Sequence, residues 1–552
     1  MGISSTLKRI QKAFTDNPTI DWNDNEEFFR YTRGRFISNE AWEMQQRHVN
    51  FDMNALAELA AKAAGSQKCV TVKKYPDGMF NKVFLMTMED GVEVVAKVPN
   101  PNAGPAHLTI ASEVATMTFA RENLQTPVPK VLDWCSSAEL TSAGVEYIIM
   151  EKVEGVPLEN LWSSMEVEDQ ISIIQTLAGF HKSWMSASFN QFGSLYFAKD
   201  ISRGGQGISY TKRDGTEVLD SRYAVGPTVG RSSFDDGRSE IEFDQGPWAT
   251  IGDYYYAIEK REGTCVKLMN KLPKSPLTLS GPYIPTRERK LVALDTYSKL
   301  VKYLVPTDDS INTSNIWHDD LHGENIIVNP LKPTEILGII DWQSVALTPL
   351  FENAQLPRFL AYSGPRLTGL EAPEYPDIKG MEASEAEAAD ALWNQMTLAA
   401  YYRGFTQQNN PILYRAMEFH ETLPFSLLSY ASCMLVDGEA AYRYRATTEL
   451  ENEWASLPAV KALGNPPFPF TFSAEETQEI ENDVKNMARG VQEMADIKEA
   501  MGKLWPDKGV VPHCDYEDAK AALRQAKETA LKEFATTEDE RRALVEGWNF
   551  DD

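Results

Sequence analysis

The chain has 552 residues, a formal net charge of -26 and 43% hydrophobic residues. The charge argues against a nucleic-acid binder, which needs a basic face for phosphates. No apolar run reaches the roughly eighteen residues of a membrane span, so none is expected. The hydrophobic content is enough for a sizeable core, and the length suggests roughly two to four domains or one large enzyme with insertions. Five scattered cysteines, Cys69, Cys135, Cys265, Cys433 and Cys514, have no metal-ligand spacing and read as reduced thiols in an intracellular compartment.

At the N-terminus, Ile3, Leu7, Ile10 and Phe14 share one helical face, with Lys8, Arg9 and Lys12 ahead of the first acid, Asp16. An organelle transit peptide has this form, and so does a frayed first helix. MGISST also fits the N-myristoylation pattern. Residues 51–64 read as an amphipathic helix. Strand-like runs follow at 70–74, 81–88 and 92–98, separated by the turns YPDG and EDG. A helix is predicted at about 107–122, then strands in KVLDW and EYIIME. After Gly155 helical patterns dominate. Ser163 and Glu166 fit a capping box ahead of Ile171, Ile174, Leu177, Phe180 and Trp184. Residues 200–250, rich in Gly, Ser and Asp, read as a long exposed insertion with short elements. The runs IIV and ILGIID predict a buried hairpin. GNPPFPF at 464–470 reads as a linker, after which Ser473 and Glu476 open a long helix packed on the body.

Chemistry concentrates in IWHDDLHGENIIV, residues 316–328, and in the IIDW that follows. Phosphoryl transfer needs a cation on the phosphates, a metal to neutralise charge and a base to orient the attacking hydroxyl. Magnesium takes oxygen ligands and keeps several waters, so one carboxylate and one amide oxygen suffice. Asp320, Asn325 and Asp341 supply such groups from one loop and the next strand. Upstream, Lys97 lies mid-strand among apolar neighbours in VVAKV, where a lysine needs a partner. Glu113, sixteen residues on, is the candidate. His318 is expected to orient the loop through the backbone, His322 to act similarly, His181 to pack in a core and Asp319 to face outward.

HDDLHGEN and IIDW resemble the signature of the aminoglycoside phosphotransferase and choline kinase-like family, with Asp319 where that family usually has glycine. The resemblance implies an α/β (α+β) two-lobe protein-kinase-like fold, with a small antiparallel-sheet N-lobe and a large, mainly helical C-lobe. The expected divisions are an arm at 1–50, the N-lobe at 51–153, the C-lobe at 154–460 with an insertion at about 200–250, and a helical extension at 461–552. The resemblance further implies ATP and Mg2+ as cofactors, Asp320 as catalytic base and Asn325 with Asp341 as magnesium ligands. Lys97 with Glu113 is then the ion pair at the nucleotide phosphates. EYIIMEKVEG resembles the interlobe hinge, placing adenine near the backbone of Glu151 and Val153, and Gly78 is the one glycine of the phosphate-covering turn. FFRYTRGRF, GPW at 246–248 and the kinase core resemble a fungal branch of the family named for mitochondrial inheritance, over 25 to about 440.

After Asp341 no A-P-E element follows, and a peptide substrate needs the segment it ends, so the expected acceptor is a hydroxyl of a small molecule. A catalytically silent pseudokinase scaffold and a protein kinase are the alternatives. The expected location is intracellular, mitochondrial or cytoplasmic. The sequence is silent on the acceptor's identity and on the oligomeric state.

Overall fold

The computed structural model describes residues 21–201, 207–281 and 283–551. The possible transit peptide and myristoylation site lie outside them. The chain divides into two compact units. One comprises Met1–Arg33, Trp42–Ala103 and Leu132–Lys152; the other comprises Gly34–Ala41, Gly104–Val131 and Val153–Asp552.

The first unit is built on a five-stranded antiparallel sheet. Helix α1 (Met53–Ala64) starts at Asp52, whose carboxylate accepts from the Ala55 N–H, and stops at Gly65 in the left-handed region. Its Met53, Leu56, Ala57, Ala60 and Ala61 are buried at helical spacing. The strands are β1 (Cys69–Lys74), β2 (Asn81–Met88), β3 (Glu93–Pro99), β4 (Val131–Cys135) and β5 (Tyr147–Glu151), in spatial order β1-β2-β3-β5-β4. Phe84 centres the core, with Phe28 and Phe51 edge-on at 5.6 and 6.1 Å.

The second unit is mainly helical and includes the expected helix before β4, here α2 (Leu108–Asn123). Strand β6 (Val156–Pro157) leads to α3 (Val167–Trp184). The expected capping box does not form there. Glu166 is itself the first half-helical residue and makes no side-chain cap, while Ser163 ends the short turn before it. The predicted face of α3 is the buried one: Ile174, Leu177 and Trp184 are buried together with Ile173, Ala178 and His181, and Ile171 and Phe180 lie half-buried at its edges.

Residues 207–250 have the short elements predicted and are exposed in part, but Tyr210 and Tyr223 are buried. They hold β9 (Ile208–Lys212), β10 (Glu217–Asp220) and β11 (Tyr223–Gly226), after β7 (Ala187–Phe189) and β8 (Ser194–Phe197). Phe119 on α2 meets Phe189, Tyr210 and Tyr223 at 5.4 Å each, so lone aromatics bury what no local period announced. Helices α4 (Ile251–Leu268) and α5 (Arg287–Leu304) follow, each with a threonine N-cap. The predicted hairpin forms from β13 (Ile326–Asn329) and β14 (Lys332–Ile339), after β12 (Ser314–Ile316) and before β15 (Leu347–Pro349). One sheet runs β10-β9-β7-β12-β15 and another β14-β13-β6.

Beyond α6 (Ala383–Asn409), the Ser473 and Glu476 box opens α7 (Ala474–Met501) as predicted. Met494 and Met501 share a core with Tyr516, Leu523, Leu544 and Trp548. The two-residue strand Arg35–Phe36 pairs antiparallel with Val510–Val511. No helix among the described residues is long and apolar enough to cross a membrane.

Gly155 sits where a Cβ would meet the Val328 carbonyl oxygen at 2.5 Å and Ile327 Cγ2 at 2.8 Å. Gly155→Ala is therefore expected to lower stability by about 1–3 kcal/mol through overpacking against β13, read by chemical denaturation. At Gly78 φ is not positive and a Cβ would meet only Asn81 O at 3.7 Å. Gly78→Ala should leave the same measurement unchanged.

Candidate active site

The loop between β12 and β13 is fixed from below. His318 is 2% exposed, and its Nε2 donates to the Ile340 carbonyl at 2.9 Å. The Ile340 N–H donates to the Asn325 carbonyl at 3.0 Å, and the Asn325 N–H to that of His322 at 3.0 Å. Trp342, fully buried, donates to the Ile339 carbonyl and packs edge-on against His318 and Trp184. Under the loop, His181 stacks on Trp317 at 4.7 Å and takes Tyr402 Oη at 2.9 Å. Burial pushes His181 down to about 3, so it is a neutral core group, as its sequence context suggested.

On this base, Asn325 Nδ2 donates to the Asp320 carbonyl at 3.0 Å and lies 3.3 Å from His322 Nε2. The amide's nitrogen arm is thus held on the loop, which turns its oxygen arm away. Asp341 is exposed and has φ 62°, a left-handed backbone uncommon for any residue but glycine. Strain of this kind clusters at working sites. Asp320 Oδ1 is 2.8 Å from Arg358 Nη1, and Oδ2 is 3.5 Å from His322 Nε2. The His322 hydrogen bond, opposed by partial burial and aided by the charges of His322, Arg358 and His318, holds the Asp320 carboxyl below the usual range. The same bond raises His322.

Asp319 does not simply face outward. Its surface is open, yet it lines a cavity of about 370 Å³ together with Trp317, Tyr254, Tyr255, Arg261 and Glu352. The surrounding protein raises its carboxyl. Glu352 accepts from Tyr254 Oη at 2.9 Å and Tyr255 Oη at 2.6 Å, and burial raises it too. Sequence reading missed Arg358, Glu352 and Arg261, because none falls in a spacing that carries a code. Val153 packs against β14 at Gly338. Glu113, on α2, is 2% exposed.

Within the first unit, Lys97 is 4% exposed, mid-strand on β3 between Val83 of β2 and Ile148 of β5. Glu151 closes β5 opposite Val94. The turn that contains Gly78 is held by charge. Buried Asp77 accepts from Thr32 N and Oγ1 at 2.9 and 2.8 Å and from Lys74 Nζ at 2.6 Å, with Lys82 Nζ at 3.5 Å. Burial pushes Lys82 down to about 8.

The donor set suits magnesium: one carboxylate, Asp341, and one amide oxygen, Asn325, leave positions for water and phosphate. Among the described residues no group of three or more His, Cys, Asp or Glu side chains could hold a metal alone.

Residues 71–204 match the model of the phosphotransferase enzyme family, APH. A subtelomeric hrmA-associated cluster protein of Aspergillus fumigatus is 29% identical over 375 residues, covering 62% of this chain and 71% of its own. Altered inheritance of mitochondria protein 9, mitochondrial, of Lachancea thermotolerans is 23% identical over 560 residues, covering 88% of each chain. Among solved structures, the streptomycin-ATP-APH(2")-IIa ternary complex is 12% identical, covering 70% of this chain and 100% of that one, with a TM-score of 0.33. Residues 71–204 thus match the phosphotransferase enzyme family, in a chain similar over most of its length to fungal proteins named altered inheritance of mitochondria protein 9.

Proposed function

We propose that the chain catalyses ATP- and magnesium-dependent phosphoryl transfer to a hydroxyl group of a small molecule. One observation carries this reading: Asp320 and Asn325 sit on a loop anchored to the strand end that leads into the strained Asp341. Asp320 accepts the proton as the acceptor oxygen bonds to the γ-phosphorus and the bond to ADP breaks. Its lowered carboxyl keeps it in the base form at neutral pH. Asn325 and Asp341 hold magnesium, which neutralises charge on the phosphates. Lys97 meets the nucleotide phosphates with Glu113 as its partner, the turn at Gly78 covers them, and the backbone at Glu151 and Val153 meets adenine. The name of the relatives extends to a mitochondrial location as part of the same proposal, with the cytoplasm as the alternative.

A silent scaffold is the second reading. The ion pair from Arg358 engages the base that catalysis needs, and this favours it. ADP release over a panel of hydroxylated acceptors separates the two, because a scaffold turns over none of them.

Asp320→Asn is expected to lower turnover about 10²–10⁴-fold in that assay, the usual contribution of a positioned base. Asp341→Asn should remove the magnesium-dependent part of the thermal shift given by ATP; an unchanged shift would count against its role. His322→Asn removes the group that most lowers Asp320, so the carboxyl rises and the acidic limb of kcat/KM moves to higher pH. A limb that stays in place would show that His322 does not tune the base.

A further inference from the structure

The cavity bordered by Asp319 carries a positive group that phosphoryl transfer does not use. Arg261, on α4, is 6% exposed. Its Nε donates to Glu262 Oε1 at 2.8 Å and its Nη1 to Ser233 Oγ at 3.3 Å. Its Nη2 is buried with no hydrogen-bond partner. Glu262 is fully buried and already shared. Arg238 donates to it through Nε and Nη2, each at 2.9 Å, and the Leu435 N–H adds a bond at 3.0 Å. Two buried guanidiniums therefore lean on one carboxylate. Asp236 serves Arg238 from the exposed side at 2.9 Å. Glu262 is the carboxylate in direct contact with Arg261, whose charge also reaches Glu352.

Two of the three acids around the same cavity, Glu352 and Asp244, are committed elsewhere, and the third, Asp319, stands open at its rim. Glu352 takes the two tyrosine hydroxyls. Asp244 takes the Trp248 indole N–H at 2.9 Å and the Gly246 N–H at 3.0 Å. Arg231, also on the wall, pairs with Asp235. A buried charged donor without an acceptor is costly, and a guanidinium's planar fork suits the oxygens of carboxylate and phosphate. The chain as a whole is acidic, but Arg261, which lines this cavity, keeps a buried cationic donor without an acceptor.

We propose that the acceptor is a hydroxylated small molecule bearing a carboxylate or phosphate group, whose anionic oxygen accepts from Arg261 Nη2 while its hydroxyl is presented to the catalytic loop. This rests on the phosphoryl-transfer reading and narrows it to anionic acceptors. A cavity of about 370 Å³ lies within the range of small-molecule sites.

Thermal-shift titrations of the full chain with glucose, glucosamine, gluconate and glucose 6-phosphate test it, since the four differ in charge on a common six-carbon frame. Gluconate or glucose 6-phosphate should raise the melting temperature, and the responding arm names the group. Glucose and glucosamine should not. Arg261→Gln should weaken the anion's apparent affinity about 10–100-fold, as loss of a charged hydrogen bond does. If that variant fails to fold, Arg261→Lys keeps the charge beside Glu262, loses the fork and should still weaken binding. Equal shifts with glucose, no shift with either anion, or full anion affinity in the folded variant overturns the proposal. ADP release is measured in parallel. An anion-dependent shift lost in the variant, with no ADP release from any acceptor, keeps the anion site and sinks the transfer reading. ADP release confined to glucose or glucosamine sinks the anionic acceptor alone.

Discussion

The candidate site hangs on one hydrogen bond, from His318 Nε2 to the Ile340 carbonyl. It ties the loop of Asp320 and Asn325 to the end of the strand that delivers Asp341. The imidazole is buried beside Trp342, so water offers little competition for the bond. The reciprocal bond from the Ile340 N–H to Asn325 closes the same junction from the other side. Three polar groups that differ in sequence position by up to twenty-one residues therefore share one frame. Positioning of this kind is most of what phosphoryl transfer asks of a protein.

Much of this frame was legible in the sequence. Short β-branched runs around IIV and ILGIID could bury nothing except as paired strands, and β13 and β14 pair as expected. Local chemistry was also readable where one side chain and one backbone group meet within a turn, as at Ser473 and Glu476. The Ser163 and Glu166 pattern failed because the helix begins one turn later than the motif assumes. Within residues 207–250 the short elements were legible, but the burial of the aromatics was not. Tyr210 and Tyr223 bury themselves on Phe119, about a hundred positions away, and no local period records such a contact. Arg358 was invisible for the same reason: an ion pair with Asp320, from a distant element, has no spacing to recognise.

The electrostatics separate global from local charge. A net charge of -26 describes the solvated surface, and it says little about an interior where each group answers to its nearest neighbours. The His322 hydrogen bond and the Arg358 charge lower the Asp320 carboxyl, whereas the protein packed around Asp319, the adjacent residue, raises its carboxyl. Two neighbouring carboxyls in one loop thus shift in opposite directions, each set by its own surroundings.

The pairing of Arg35–Phe36 with Val510–Val511 bears on how the chain is made. Glu40 and Tyr516 meet at 3.4 Å across 476 positions of sequence. A ribosome must deliver the chain as far as Val511 before the strand at Arg35–Phe36 finds its mate, so until then its edge stays open to rival partners. Val510–Val511 thus acts as a clasp, and a nascent chain that stalls before it leaves Arg35–Phe36 unmated.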